Sequence, residues 1–271
     1  MSNSLTIERR NKLAQILIAE GSVKVGKIAE MFGVSTETIR KDLIYLDKKG
    51  IATKGHGGAI ASGNILAIEQ PLAQKTHEHL QLKEQIAQLA IQLIPDRGVV
   101  ILDTGSTVQC VANALMSRSK LTIISNAINA IHPLSQTDND VFLVGGKLHP
   151  NSQALVGMWG INAFKSINAD VVFLGTDGLK NRNGPCTASY EEAELKAAMV
   201  KSARLKVVVS DSTKFSSSGL FQFCDWSEID YFITDPGIPE EELSHLSKLT
   251  EVIVIDKPKL PTMALRPVEK D

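Results

Sequence analysis

Several features that mark other classes of protein are scarce or missing in this sequence of 271 residues. Its three cysteines are widely spaced and form no C-x-x-C pair, which argues against a disulfide framework and a zinc site, so we expect reduced, buried thiols. The longest apolar runs, VVIL after Gly98 and VVFL after Asp170, are strand-sized and too short to cross a bilayer. The amino terminus, MSNSLTIERR, has no apolar h-region. We therefore expect a cytoplasmic protein with no membrane partner.

Two phosphate-binding motifs are missing as well. Neither G-x-G-x-x-G nor G-x-x-x-x-G-K-S/T occurs, which disfavours a dinucleotide or ATP site. His77 and His79 are two residues apart and would point in different directions on a helix, which makes them poor metal ligands. The sequence therefore predicts neither a cofactor nor a bound metal.

Charge is distributed unevenly along the chain, although the net charge is only −1. Residues 1–60 hold ten Lys and Arg against six Asp and Glu, whereas the remaining 211 residues hold nineteen against twenty-four. A basic head on an acidic body fits a DNA-reading module joined to a part that does not touch DNA.

The stretch from Val23 to Gly50 has the pattern of two helices joined by a tight turn. Gly33 ends the first helix, whose apolar face consists of residues at i, i+3, i+4 and i+7, namely Val25, Ile28, Ala29 and Phe32. Ser35 is a good N-cap for the second helix. That helix is predicted to bury Ile39, Leu43 and Leu46 and to expose a mostly polar face of Thr36, Glu37, Arg40, Lys41 and Ile44. Such a pair can place a recognition helix in the major groove of DNA, although an ordinary helical hairpin has the same spacing.

Two further elements flank this pair. A preceding helix, from about Thr6 to Ala19, carries apolar residues on the side that would back the two helices. The run from Ile51 to Ile60 has two short segments around a Gly-rich centre, which predicts a small β-hairpin, or wing. Lys54 and His56 would lie near its tip, where they can reach phosphate or the minor groove.

The run from Val34 to Ala59 resembles the amino-terminal signature of the DeoR family of bacterial transcriptional regulators, which carries a winged helix-turn-helix. The sequence TIRKDL at residues 38–43 matches the family's core motif, and HGGA at residues 56–59 matches its wing. Together the two motifs make the resemblance specific.

Arg40 is the strongest candidate for base readout, because a guanidinium can bond a guanine edge bidentately. The hydroxyls of Ser35, Thr36 and Thr38 can donate to phosphate or bases, while Lys41, Lys54 and His56 complete the predicted DNA-binding set. The alternative for Arg40 is a surface ion pair with an acid such as Glu37.

The composition divides the chain into three parts. We predict a winged helix-turn-helix domain in residues 1–60, a linker in residues 61–76 and an α/β sensing and oligomerisation domain in residues 77–271. The third part begins with a helix that Pro95 stops, and this helix could pack on its own domain or on its twin in a dimer.

In the third part, short apolar strands alternate with helices, which predicts the α/β class with a mainly parallel, doubly wound sheet covered on both faces. Ligands bind such sheets outside the carboxyl ends of the strands. We therefore expect the run from Asp103 to Thr107 to cradle an anion, Asp177 and Asn126 to hold sugar hydroxyls, and Lys214 and Lys147 to meet a phosphate. Each could instead be an ordinary turn or capping residue.

The same part is similar to the carboxy-terminal sensor domain of the DeoR family. The matches include D-x-G-S-T at residues 103–107, G-T-D-G at residues 175–178, Glu191 and D-S-T-K-F at residues 211–215. The resemblance implies a fold like that of ribose-5-phosphate isomerase and binding of a phosphorylated sugar without turnover. The predicted effector site consists of Asp103, Thr104, Gly105, Ser106, Thr107, Asn126, Gly146, Lys147, Asp177, Glu191 and Lys214.

These features lead to one principal hypothesis and two alternatives. The principal one is a repressor of a carbohydrate-utilisation operon, with three partners: double-stranded operator DNA, a phosphorylated sugar effector and itself, as a homodimer or homotetramer. The first alternative is a phosphosugar isomerase with a DNA-binding head, in which Asp177, Glu191 or Glu192 moves a proton. The second is a scaffold that meets partner proteins through the basic head, which predicts no salt-sensitive DNA binding.

Overall fold

The structure is a computed structural model that describes residues 6, 9–10, 12–14, 16–17, 20–48, 51–55, 57–61 and 71–256. Within these residues the chain forms a small amino-terminal head and a larger α/β body. The elements of the head are β1 (Ser22–Lys24), α1 (Val25–Phe32), α2 (Thr36–Lys48), β2 (Ala52–Gly55) and β3 (Gly58–Ala61).

The head is a winged helix-turn-helix, as the sequence predicts. The described residues between 6 and 20 are helical and place Leu13 and Leu17 in the core with the buried faces of α1 and α2. Gly33 ends α1 in the left-handed conformation, with φ of 62°, which glycine adopts without a Cβ penalty. Strands β2 and β3 form the predicted hairpin, and the structure adds β1, which pairs antiparallel with β3.

The body is built on a seven-stranded parallel sheet with the order β14-β13-β11-β9-β4-β5-β6. Its strands read as short apolar runs because both faces are covered. They are β4 (Val99–Leu102), β5 (Thr122–Ser125), β6 (Asp140–Leu143), β9 (Ala169–Leu174), β11 (Ala203–Val209), β13 (Tyr231–Thr234) and β14 (Glu251–Val254).

The helices of the body and two small strand pairs complete the fold. The helices are α3 (Leu72–Lys75), α4 (Leu80–Ala90), α5 (Ser106–Ala114), α6 (Ile128–Leu134), α7 (Met158–Lys165), α8 (Tyr190–Lys201) and α9 (Glu240–Leu246). The antiparallel pairs are β7 (Lys147–His149) with β8 (Ala154–Val156), and β10 (Cys186–Thr187) with β12 (Phe221–Gln222).

Two separate apolar cores lie on the two faces of the sheet, which confirms the predicted doubly wound α/β class. One core contains α4 and α5, and the other contains α7 and α8. The helix predicted to end at Pro95 therefore packs on its own body, against α5. Its regular part begins only at Leu80, because His79 has a left-handed backbone with φ of 52°.

The predicted linker, residues 61–76, is not irregular throughout. Residues 62–70 lie outside the described ranges, but α3 is helical and Leu72 is buried against the body. The Leu72 N–H donates to the Asn151 carbonyl in the turn between β7 and β8. This docking depends on residues distant in sequence, so local composition does not reveal it.

A hydrophobic contact joins the body to the head. Leu220, which precedes β12, is buried in the apolar cluster of the head, and the neighbouring Phe221 packs against that cluster and against the body core. The backbone of Phe221 pairs in turn with Thr187 of β10.

The three cysteines Cys110, Cys186 and Cys224 are buried and free, as the sequence predicts. Burial raises the pKa of the Cys110 and Cys186 thiols to about 11, so both stay protonated at neutral pH. No helix within the described ranges has the length and apolar character needed to span a membrane.

Candidate functional site

The recognition helix α2 begins with a side-chain cap. The Thr38 N–H donates to Ser35 Oγ at 3.1 Å, and the hydroxyls of the two residues lie 2.9 Å apart. A serine that caps the helix in this way satisfies one of its free N–H groups and keeps the hydroxyls at the exposed amino end.

The predicted DNA-binding residues that the structure describes lie on the exposed surface of the head, with Thr38 partly covered. Arg40 is 62% exposed, and its guanidinium lies 3.6 Å from Glu37 Oε2, so the alternative ion pair is present. An exposed pair of this kind contributes about 0–1 kcal/mol, which leaves the guanidinium available to a base edge. Lys54 lies on β2 with its ammonium 3.8 Å from Asp47, and His56 falls outside the described residues.

Asp42 organises the head, a role that the sequence analysis did not assign. Its carboxylate is 1% exposed and accepts from Arg9 Nε at 2.6 Å and Arg10 Nε at 2.7 Å. Both arginines belong to the amino-terminal helix, whereas Asp42 lies on the buried side of α2. These two charge-assisted bonds therefore fix the orientation of the recognition helix against its support.

Asp42→Ala is expected to lower the free energy of unfolding of the head by about 3 kcal/mol, because two arginines lose their buried partner. Asp47→Ala is the matched control, since Asp47 lies on the same helix in an exposed pair and should change stability by less than about 0.5 kcal/mol. Urea unfolding followed by far-UV circular dichroism measures both. Equal stability of the two variants would contradict the assignment.

A polar cavity lies at the carboxyl ends of the central strands of the body, where the sequence places the effector site. Its walls come from the loops after β4 and β9, the amino ends of α5 and α8, and helix α3. The lining residues are Leu72, Lys75, Thr104, Gly105, Ser106, Thr107, Ser152, Gly175, Thr176, Asp177, Thr187, Glu192, Lys196, Val209 and Lys214.

One wall of the cavity is suited to an anion. Gly105 precedes α5 with φ of 131°, and no side chain among the described residues caps that helix. The free N–H groups at the start of α5 and the hydroxyls of Ser106 and Thr107 therefore face the cavity together. Lys214 also lines it, and none of the described acids forms an ion pair with its ammonium. This group of donors matches a phosphate.

Asp103 supports this wall from behind. It is buried, forms an ion pair with Lys196, and accepts from the Gly175 N–H at 2.9 Å. Lys196 also donates to the Gly175 carbonyl at 3.2 Å and has its ammonium on the cavity wall. The sequence predicts Asp103 as a ligand, whereas the structure gives it the role of positioning Lys196.

Asp177 lies on the opposite wall and is held by three donors. Its Oδ1 accepts from Lys75 Nζ at 2.8 Å, and its Oδ2 accepts from the Thr187 hydroxyl at 3.0 Å and from the Ala188 N–H at 3.1 Å. Burial alone would raise the pKa of Asp177, but the Lys75 ammonium and these bonds hold it well below its usual range. The carboxylate is therefore ionised at every physiological pH.

Glu192 lies beside Asp177 and lacks a full set of hydrogen-bond donors. The Thr187 hydroxyl lies 2.9 Å from Glu192 Oε2 and has only one proton to share between the two carboxylates. The other oxygen, Oε1, is buried without a hydrogen bond among the described residues and lies 3.9 Å from His149 Nδ1. A ligand hydroxyl at this point would supply the missing donor.

The end of the predicted linker closes the cavity. Leu72 and Lys75 both line it, and Lys83 anchors the segment because its ammonium donates to the carbonyls of Lys75 and Glu78, each at 2.6 Å. The enclosed volume is about 40 Å³. Sites for small molecules usually have about 300–1,000 Å³. In this arrangement the cavity is therefore smaller than a sugar phosphate.

Besides Asp103, four residues of the predicted effector site lie outside the cavity lining. The Asn126 amide donates to the Leu155 carbonyl at 3.2 Å and closes a loop. At Gly146 a Cβ would lie 2.4 Å from the Val156 carbonyl oxygen, so glycine is needed for backbone packing. Lys147 and Glu191 form an exposed ion pair at 3.1 Å. Asn126 and Gly146 follow strands as predicted, whereas Lys147 begins β7 and Glu191 lies in the first turn of α8.

The sequence analysis also missed several lining residues. Lys75 was assigned to the linker, Lys196 and Thr187 were not singled out, and Glu192 was considered only as the base of an enzyme. The acidic start of α8, SYEEAE, is the only sequence signal for Glu192. It is ambiguous, because acids favour the amino end of a helix whether or not they bind a ligand.

A wider groove of about 1050 Å³ runs along α4 and α5, beside Pro236 and Asp256. Its lining contains two acids and no lysine or arginine, which makes it unsuitable for a phosphate. The small cavity, which lies at the carboxyl ends of the strands and has a cationic wall, is the candidate effector site.

Comparison with known proteins identifies two family models in the chain. Residues 9–63 match a DeoR-like helix-turn-helix domain, and residues 78–236 match the DeoR C terminal sensor domain. The two matches cover the head and most of the body.

Similar proteins match along nearly their whole length. A protein of Escherichia coli O157:H7, named as a candidate aga operon transcriptional repressor, is 34% identical over 253 residues, which are 92% of this chain and 94% of that protein. The HTH-type transcriptional regulator GlpR of Haloferax volcanii is 32% identical, covering 92% of this chain and 98% of its own. The glycerol-3-phosphate regulon repressor of Escherichia coli K12 is 27% identical, covering 86% and 92%.

Among solved structures, ribose 5-phosphate isomerase A from Methanocaldococcus jannaschii matches 51% of this chain and 55% of its own. The identity is 18% and the TM-score is 0.38. A likeness of this size carries no argument about the site.

Proposed function

Because the chain belongs to the DeoR family, we propose that it represses a carbohydrate-utilisation operon and leaves its operator when a phosphorylated sugar or sugar alcohol binds the cavity. The chain is a DNA-binding transcriptional regulator. Relatives named as repressors of the aga operon and of the glycerol-3-phosphate regulon support the carbohydrate link. The operator is read in the cytoplasm by a homo-oligomer.

The chemistry of the cavity supports a phosphorylated polyol as the effector. The free amino end of α5, with the hydroxyls of Ser106 and Thr107 and the ammonium of Lys214, receives the phosphate. Asp177 and the orphan oxygen of Glu192 accept the ligand's hydroxyls on the other wall. This pairing of cationic and acidic walls is the observation that carries the proposal.

The closed state of the cavity explains how the effector changes DNA binding. The ligand gains space only when Leu72 and Lys75 withdraw, and these residues begin where the segment from the head enters the body. A second connection runs from Thr187 through its strand partner Phe221 to Leu220 in the core of the head. The effector therefore binds the open arrangement more tightly than the closed one, which is the condition for it to shift the equilibrium.

Asp177 is a poor candidate for the base of an isomerase. An isomerase needs a base whose pKa is near the working pH, and the pKa of Asp177 is held far below that range by Lys75 and its other donors. We propose that the ligand is bound and released unchanged. Incubation with ribose 5-phosphate is expected to yield no ketose phosphate, and measurable conversion would favour the isomerase.

Operator binding with and without candidate effectors tests the proposal. The purified protein is titrated onto the DNA upstream of its own gene at two salt concentrations, alone and with ribose 5-phosphate, glucose 6-phosphate or glycerol 3-phosphate. We expect specific binding that weakens with salt and is released by one phosphorylated compound but not by its dephosphorylated form. Binding that no phosphorylated compound alters would contradict the sensor assignment, and no binding at all would contradict the regulator.

Lys75→Met is expected to uncouple the effector cavity from the DNA-binding head. In the wild-type protein the effector should weaken operator affinity about 5- to 150-fold. Without the Lys75–Asp177 pair, effector binding no longer has to release α3, so this factor should fall below about 3-fold while effector affinity rises. Fluorescence anisotropy with labelled operator measures the factor.

The exposed Lys201, at the end of α8, provides the control for this experiment. Lys201→Met removes the same charge from the body without touching the cavity and should keep the wild-type factor. A Lys75→Met protein that also keeps the wild-type factor would show that this ion pair does not link the two sites.

A further inference from the structure

The most exposed apolar surface of the body lies at the amino end of α7. Trp159 is 79% exposed, Met158 60% and Phe142 57%, and these are the three most exposed large hydrophobic side chains among the described residues. Leu143, the next residue of β6, is 44% exposed, and its side chain points to the opposite face of the strand. We call Trp159, Met158 and Phe142 the edge patch.

The edge patch comes from segments that meet in space. Phe142 lies on β6 opposite Ile124, which belongs to the core that also contains Phe164 of α7. Gly160, next to Trp159, lies against Val144, since a Cβ placed there would be 3.6 Å from Val144 Cγ1. The start of α7 therefore covers the sheet beside the end of β6.

This edge of the sheet carries little of the usual protection. Strand β6 is the last in the sheet order and pairs only with β5 within the described ranges, so its outer N–H and C=O groups face outwards. The strand is four residues long and begins with the exposed Asp140, whereas residues 141–146 and 154–164 contain no ionisable side chain and no proline. Natural edge strands usually carry charges, prolines or bulges that block pairing. An open apolar edge of this kind is typical of a surface that is covered in the working protein.

The size of the edge patch fits a protein interface. Three side chains of this size, each about three-fifths to four-fifths exposed, present on the order of 400 Å² of surface. The exposed backbone of β6 adds to that area. A standard interface buries about 800 Å² on each partner, so the edge patch supplies about half of the area that a stable dimer needs.

We propose that the edge patch is the surface on which two copies of this chain associate, with β6 of each copy antiparallel to the other across a two-fold axis. Antiparallel pairing of identical strands is self-complementary, because each free N–H meets a free carbonyl and each side uses the same residues. That the dimer places two heads on two DNA half-sites rests on the proposed function. The formation of the dimer does not depend on that function.

The mass of the protein in solution tests this proposal without DNA or effector. Light scattering at micromolar concentration should give at least twice the chain mass of 29.4 kDa. Trp159→Glu should halve the mass, with a dissociation constant raised at least about 30-fold. Because Trp159 is largely exposed, the folded chain tolerates this change. A wild-type monomer, or a variant with unchanged mass, overturns the proposal.

Leu249→Glu is the matched control, because Leu249 is 42% exposed and precedes β14, at the opposite edge of the same sheet. Its mass should equal that of the wild type. Dissociation by Leu249→Glu but not by Trp159→Glu would place the interface at the opposite edge and overturn the proposal.

Tryptophan fluorescence provides a second, independent measurement. The chain has two tryptophans, and Trp226 is 2% exposed, so acrylamide quenching reports mainly on Trp159. Quenching should be weak in the wild-type oligomer and several-fold stronger in Phe142→Glu, which keeps the fluorophore. Equal, strong quenching in both proteins overturns the proposal.

Discussion

Arg40→Ala is expected to lower operator affinity at least about 30-fold while the head stays folded. A bidentate contact with guanine contributes about 1–3 kcal/mol, and an oligomer that reads two half-sites loses it twice. The folded state should be unaffected, because the side chain is 62% exposed and its ion pair with Glu37 is a surface pair. Fluorescence anisotropy with operator and with unrelated DNA measures the two affinities.

Two further variants separate base readout from simple loss of charge. Arg40→Lys keeps the cation but not the planar fork, so affinity for unrelated DNA should stay near wild type while preference for the operator falls. Lys27→Ala removes an exposed cation from α1, where it faces Glu20, and should have little effect on operator preference. If Arg40→Ala retains wild-type operator affinity, α2 does not read bases through this residue.

Asp177→Ala is expected to abolish induction, so that the operon stays repressed in the presence of the effector. The carboxylate accepts from Thr187, Ala188 and Lys75 and offers the acidic wall to a ligand. Each lost hydrogen bond to a charged group costs about 1.5–3 kcal/mol, so effector affinity should fall at least about 30-fold. Calorimetric titration of the effector identified in the operator assay measures the loss.

The interpretation of this variant requires that the body remains folded and still represses. Asp177→Asn keeps the shape of the side chain, so it controls for a loss of structure around Lys75 in the alanine variant. Glu191→Ala is the matched control, because this carboxylate lies in an exposed pair with Lys147 outside the cavity. Induction should then be normal in Glu191→Ala and absent in both Asp177 variants. Normal induction in Asp177→Asn would remove Asp177 from the site.

The head could be predicted almost completely, because its determinants are local. Helical periodicity places Ile28 and Ile39 in the core, Gly33 ends α1, and Ser35 caps α2. The hairpin follows from a Gly-rich centre between two short segments. Strand β1 and the burial of Asp42 were not predicted, since their partners come from other parts of the head.

The cavity could be predicted only in outline. Of the residues chosen by the strand-end rule, Thr104 to Thr107, Asp177 and Lys214 line the cavity. Asn126 and Lys147 do not line it, because the rule marks the edge of the sheet without stating which loops fold inwards. Lys75 reaches Asp177 across 102 residues and Lys196 reaches Asp103 across 93, and no local pattern records either pairing.

By itself the sequence determined the fold class, the winged helix-turn-helix and the run of small and hydroxyl residues at the start of α5, since these depend on periodicity, turn residues and caps within short segments. Only the tertiary structure decided that the end of a predicted linker lines the candidate effector cavity, that Asp103 positions a lysine, and that an open strand edge lies beside Trp159. The physical reason is the same in each case: ion pairs, enclosed volume and exposed surface arise between segments far apart in the chain.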